Sequence, residues 1–194
     1  MLRGVVAFGS QPQLTRANGW LHSGAMTQDN AQIEIVTGYV PGVLGRVTQL
    51  HAGYYARHYG FGSVFERKVA AEMAEFLGRI ESPLNQVFTA MVGGNIVGSV
   101  SLDGEDLGGH VAHLRWFILS DGARGRGIGN QLMTQAMAFV DAQQFLETQL
   151  WTFRGLDAAR ALYERHGFAL VDEKLGQQWG TEVSEQKFAR PAPQ

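Results

Sequence analysis

The chain has 194 residues, 45% of them apolar, which suits one domain of ordinary size with a substantial core. A net charge of −2 removes the electrostatic case for nucleic acid or an acidic membrane as partner. The absence of cysteine excludes disulfides, thiolate nucleophiles and thiolate metal sites, and fits a reducing, cytoplasmic setting.

Residues 1–30 hold no apolar run of the roughly 7–15 residues that a secretory segment needs. Nowhere does the chain approach the ~18 apolar residues of a membrane span. The expectation is an N-terminal extension over 1–30, followed by one domain over 31–194.

The first strand signal is β-branched and alternating, at Ile33–Val36. Apolar residues at Leu44, Val47, Leu50, Tyr54, Tyr55 and Tyr59 then recur at helical spacing, closed by Gly60 and Gly62. A second amphipathic helix is predicted over Ser63–Ile80. Two strand-like runs joined by "GGN" at 93–95 predict a hairpin. His110–Leu119 reads as a long strand, and "NQLMTQAMAFVDAQQ" as a helix. "TQLWTF" is a short strand, "LDAARALYERHG" a helix ending in glycine, and "FALVDE" and "EVSEQKFAR" are strands. The order β α α β β β α β α β β predicts an α/β fold with helices layered on a central sheet.

The segment "RGRGIGNQL" (124–132) lies between that long strand and its helix. Three alternating glycines let an anion approach the main chain, where unpaired N–H groups and the helix dipole favour negative charge. Arg124 and Arg126 add forked donors; a plain strand-to-helix turn is the blander alternative. A P-loop is excluded because no lysine follows, and the dinucleotide fingerprint fails because Asn130 stands at its third glycine.

Arg124, Gly127 and Gly129 form R-x-x-G-x-G, which resembles the acetyl-CoA pyrophosphate loop of the GNAT superfamily of N-acetyltransferases. "LDAARALYERHGF", with Tyr163 and Gly167–Phe168, resembles that family's second signature, and "VGGNIVGSV" its second and third strands. The resemblance spans about residues 32–190. Within the family, "PGVLGRVTQLHAGYYARHYGFGSVFE" and "LDAARALYERHGF" are similar to the acetyltransferase half of fusions with a MarR-type DNA-binding domain, although nothing here supplies a winged helix.

The resemblance implies a mixed, mostly antiparallel sheet splayed between strands four and five, with helices on both faces. It implies acetyl-CoA as co-substrate, with no metal. The main chain at Phe117 and Leu119 would pair with the pantetheine arm, and Arg124, Gly125, Arg126, Gly127, Ile128, Gly129 and Asn130 would hold the pyrophosphate. Tyr163 takes the general-acid position, with a core tyrosine as the alternative. His113 stands where histone-acetylating relatives carry a glutamate, which makes it the candidate base.

Strict alternation places His113, Arg115, Phe117 and Leu119 on one face of the strand. Arg115 could bind an acceptor carboxylate; otherwise His113 and Arg115 are a solvated strand edge. Freeing an α-amine at pH 7 costs about 1 kcal/mol and a lysine amine about 4.6 kcal/mol, which favours a small, amino-acid-like acceptor. His51, Tyr55 and Tyr59 form one helical stripe. Tyr55 and Tyr59 are candidate acceptor contacts, or else packing residues. His110 and His113 point to opposite faces and make no metal pair. The family's asparagine seven residues before the tyrosine is Leu156 here. That departure keeps open a catalytically idle acyl-CoA sensor as the competing function. Homodimers are common among relatives, and the expected partner is a small-molecule amine.

Overall fold

The computed structural model describes residues 32–193, so the extension expected over 1–30 lies outside the described residues. The elements run β1 (Ile33–Thr37), α1 (Val43–Tyr59), α2 (Ser63–Leu77), β2 (Gln86–Val92), β3 (Asn95–Asp103), β4 (Val111–Leu119), α3 (Ile128–Ala142), β5 (Glu147–Phe153), α4 (Asp157–Arg165), β6 (Ala169–Gly176) and β7 (Val183–Pro191). This is the order the sequence predicts. The second helix stops at Leu77 rather than Ile80, at Gly78. A short 3-10 turn at Asp121–Ala123, not foreseen, precedes the glycine loop. No helix among the described residues is long and apolar enough to cross a membrane.

The strands form one seven-stranded sheet in the order β1-β2-β3-β4-β5-β7-β6. Only β4 and β5 pair in parallel. The β2–β3 hairpin turns on Gly93 (φ 56°) and Gly94 (φ 76°), the paired left-handed conformations that a tight hairpin needs. Helices cover both faces. On one, Leu132, Met133, Ala136 and Val140 of α3 and Tyr163 of α4 bury against Phe88, Val100, Leu102 and Leu114. On the other, Val43 and Val47 of α1 and Val69, Met73 and Phe76 of α2 bury against Val87, Ile96 and Ile118. Each such large side chain contributes roughly 1.5–3 kcal/mol by leaving water.

Two irregularities in β4 position the site. The ladder to β5 pairs Val111, Ala112 and His113 with Glu147, Thr148 and Gln149 and goes no further. Beyond it the strands part, and that edge of β4 has no β5 partner. The second irregularity is a bulge: Arg115 pairs with Ser101 and Ile118 with Ser99, so Trp116 and Phe117 together oppose Val100. Trp116 takes the left-handed φ of 48°, a conformation costing a non-glycine residue about 1 kcal/mol. Its ring is held against Phe76, 5.3 Å away, and beneath the Arg115 guanidinium at 4.2 Å.

The bulge reverses the alternation expected from the sequence. His113, Arg115, Trp116 and Ile118 serve the α1–α2 side, whereas Phe117 and Leu119 pack with α3 and α4. The four residues expected on one face are therefore divided between two. One inserted residue changes the parity of every position after it.

Candidate active site

Where β4 and β5 part, a cavity of about 450 Å³ opens. Its walls come from β4 (His113 to Phe117), β5 (Leu150 to Phe153), α1, α2, Tyr163 of α4 and the β6–β7 turn at Gln178–Trp179. That turn is fastened from within the sheet: Glu185 of β7 accepts from the Gln178 backbone at 3.0 Å and from its side-chain amide at 2.8 Å.

His113 Nδ1 lies 2.6 Å from Asp106 Oδ2, and its ring meets Trp151 edge-on at 4.7 Å. Its side chain is only 14% exposed, so it is not at a solvated edge. Burial and then the nearby Arg115 charge push its pKa down to about 4, against the pull of Asp106. At pH 7 the ring is neutral. Nδ1–H donates to the Asp106 carboxylate, which assigns the acceptor lone pair to Nε2.

Arg115, placed beside it, is already engaged. It donates to Glu72 of α2 at 2.5 Å and lies 3.6 Å from both Asp103 and Asp106. Lys68 pairs with the same Glu72. Asp103 is fully buried, held by Arg79 and the backbone N–H groups of Glu105 and Asp106.

Tyr163 is 6% exposed, and its hydroxyl has no hydrogen-bond partner among the described residues. Its ring sits near Phe117, Phe168 and Phe188 at 6.1–6.2 Å. Burial pushes its pKa above the usual tyrosine value, so the phenol is protonated at neutral pH.

The helical stripe splits by function. His51 and Tyr55 line the cavity, with Tyr55 also raised in pKa by burial. Tyr59 does not line it; its hydroxyl donates to the Gly155 carbonyl at 3.1 Å and its ring meets Phe153 at 4.9 Å. His51 Nδ1–H donates to the Val47 carbonyl, 2.8 Å away, and burial lowers its pKa to about 4.

The loop before α3 uses its glycines for two purposes. Gly125 (φ 71°) and Gly127 (φ 76°) are left-handed, and open space lies where a side chain would start. Gly127 caps α3 without any side-chain hydrogen bond, leaving the helix N-terminus accessible to an anion. Gly129 instead permits close packing: a Cβ there would stand 3.3–3.4 Å from Phe117, Leu119 and Leu162. Ile128 is wholly buried, so only its backbone can serve a ligand.

Arg124 clamps the loop, donating to the Leu119 carbonyl at 3.2 Å and stacking on Tyr54 at 4.1 Å. Asn130 contacts His166 at 3.1 Å across to α4. Arg126 is exposed and makes no ion pair among the described residues, so it is the freer cation. Leu156 precedes α4 as an apolar cap residue and packs into the α1–α2 side core. An unpaired strand edge, an open helix N-terminus and an adjoining cavity fit the extended arm and pyrophosphate of acetyl-CoA.

Glu72, Asp106, Trp151 and Trp179 also line the cavity and were not foreseen. They lie on four separate elements and carry no local motif. Among the described residues no group of three or more acidic or histidine side chains could hold a metal.

The sequence model of the acetyltransferase (GNAT) family matches residues 48–168. No curated protein matches the chain in sequence. Among solved structures, the chain resembles a GNAT acetyltransferase from Staphylococcus aureus Mu50 at 17% identity and a TM-score of 0.66, over 84% of this chain and 100% of that one. It also resembles a ribosomal-protein-alanine N-acetyltransferase from Brucella melitensis (16%, TM-score 0.65, 82% and 99%). A third is the PaiA N-acetyltransferase of Thermoplasma acidophilum, solved with coenzyme A (17%, TM-score 0.63, 82% and 99%). At these identities the structures speak for the fold alone. The family match covers the α1–α4 region, including the glycine loop, the splayed strands and Tyr163; the chain belongs to the acetyltransferase (GNAT) family.

Proposed function

We propose that the protein transfers the acetyl group of acetyl-CoA to the primary amine of a small acceptor by direct attack. The observation that carries this reading is the meeting, in one cavity, of a protonated Tyr163 and a neutral, Asp106-oriented His113. They enter from the α4 and α1–α2 sides of the opening between β4 and β5.

Acetyl-CoA supplies an activated acyl carbon, to which the amine nitrogen bonds as the bond to sulfur breaks. The backbone of Phe117 and Leu119 would align the pantetheine arm as an added strand, and Gly125, Gly127 and Arg126 would face the pyrophosphate. The ammonium proton must leave before nitrogen can attack; His113 Nε2 would accept a hydrogen bond from the amine and pass that proton on to water, since a ring whose pKa burial lowers to about 4 does not retain it. The Tyr163 hydroxyl gives its proton to the departing sulfur. From a phenol at or above pKa 10 to a thiolate near 8.5 that transfer is uphill by at least about 2 kcal/mol, so it proceeds with bond cleavage rather than ahead of it. The chain has no cysteine to carry the acetyl group covalently, which supports direct transfer.

The segments 41–66 and 156–168 further support kinship with the acetyltransferase half of MarR-type fusions, for the catalytic half only. The test is thiol release from acetyl-CoA across a panel of primary amines. Amine-dependent release supports the transferase; tight acetyl-CoA binding with no release for any amine would make the protein a sensor that has kept the fold.

A further inference from the structure

The α1–α2 wall of the cavity carries Glu72, Glu75 and Asp106 against Lys68 and Arg115. Behind it, Arg79 is shared among Glu75, Asp103 and Glu105. Five carboxylates therefore share three cations, and His113 beside them is neutral at pH 7. That excess of negative charge, partly open to water, attracts a further cation to the wall. Glu72 and Glu75 are three residues apart on α2 and face the cavity together.

The same cavity is lined by Tyr163, 6% exposed, whose hydroxyl meets no hydrogen-bond partner among the described residues. Trp151, Phe65 and Trp179 line the same cavity, aromatic side chains suited to an alkyl chain ending in a cation. An acceptor carboxylate, by contrast, would have to displace Glu72 from Arg115 and approach Asp103 and Asp106.

We infer that the acceptor is a short diamine, with one nitrogen reacting beside His113 and the other held as an ammonium by Glu72 and Glu75. The inference rests on the acetyltransferase reading above. It replaces an amino-acid-like acceptor by one whose far end is positive and whose reacting nitrogen, an alkyl amine, costs about 4.6 kcal/mol to free at pH 7. Once the reacting nitrogen has lost its proton, the second ammonium still neutralises the acidic wall.

Three four-carbon primary amines, matched in length, test it: 1,4-diaminobutane, n-butylamine and 4-aminobutanoate. The diamine is expected to exceed butylamine by at least about tenfold in kcat/KM, with 4-aminobutanoate the poorest. Added salt should narrow the gap, and Glu72→Gln should shrink the diamine-to-butylamine ratio while improving 4-aminobutanoate by freeing Arg115. Calorimetry on the CoA-loaded wild-type protein gives a second readout without turnover, in which the diamine should bind and 4-aminobutanoate should not. Equal use of diamine and butylamine, or a preference for 4-aminobutanoate, would overturn the inference and leave the transferase standing. If the diamine binds but no amine is acetylated, the cation site stands and the transferase reading fails.

Discussion

Tyr163 and His113 are both uncharged at neutral pH because they are buried, yet burial acts on them in opposite senses, which suits the opposite tasks proposed for them. It holds a proton on the phenol and keeps one off the imidazole. Tyr163→Phe removes only the hydroxyl, so packing against Phe117, Phe168 and Phe188 should survive and acetyl-CoA should bind within a few-fold of wild type. Turnover should fall roughly 10²-fold, and an acetyl thioester with a better leaving group should recover part of the loss. Full activity in that variant would make Tyr163 a packing residue and assign sulfur protonation to water. His51 and His113 both titrate near 4 in the folded state against about 6.5 unfolded, so between these values the unfolded chain binds protons that the folded chain refuses. Stability therefore rises with pH across that window and falls as pH drops, by about 3 kcal/mol for each ring over the full range. Urea unfolding between pH 7 and 4.5 should show this slope, and His51→Phe should remove about half of it. An identical slope in the variant would mean that His51 is charged when folded.

At the scale of elements, β4 and the loop after it do most of the positioning. The bulge at Trp116 leaves His113 and Arg115 on the α1–α2 side and puts Phe117 and Leu119 on the α3–α4 side, which on the proposed mechanism separates the two substrates. Sequence alternation could not reveal this. "HVAHLRWFIL" reads as an uninterrupted strand, and the bulge depends on Trp116 meeting Phe76 from a helix forty residues earlier. The glycine loop was legible because its signals are local: left-handed turns at Gly125 and Gly127, then an amphipathic helix. What the loop left unsaid was its division of labour, with Gly129 there for Phe117 and Leu119 rather than for phosphate. Arg124 is occupied with Tyr54 and the Leu119 carbonyl, which leaves Arg126 to meet an anion. Arg126→Glu should weaken acetyl-CoA binding roughly 10- to 100-fold by calorimetry, with the melting temperature unchanged. Unaltered affinity would reduce the loop to a turn.

Over the whole molecule, the order of strands and helices followed from periodicity and turn residues, whereas the mixed sheet, parallel only between β4 and β5, is the one the family resemblance implied. The acidic wall was not legible, because Glu72, Asp103 and Asp106 come from a helix, a strand and a loop that only the tertiary fold brings to Arg115. Residues 32–193 contain both cores and all seven strands of the sheet, so we propose that the domain begins near residue 31. Removing residues 1–25 should then leave the melting temperature unchanged, and a clear drop would place part of that segment against the domain. The most direct test of the account is rapid-quench mixing of the protein with acetyl-CoA, with and without 1,4-diaminobutane, following free thiol and acetylated product together. The account predicts no thiol release without amine and, with it, one acetylated amine for each thiol formed. A burst of thiol before any amine is added, or none after it, would contradict direct transfer.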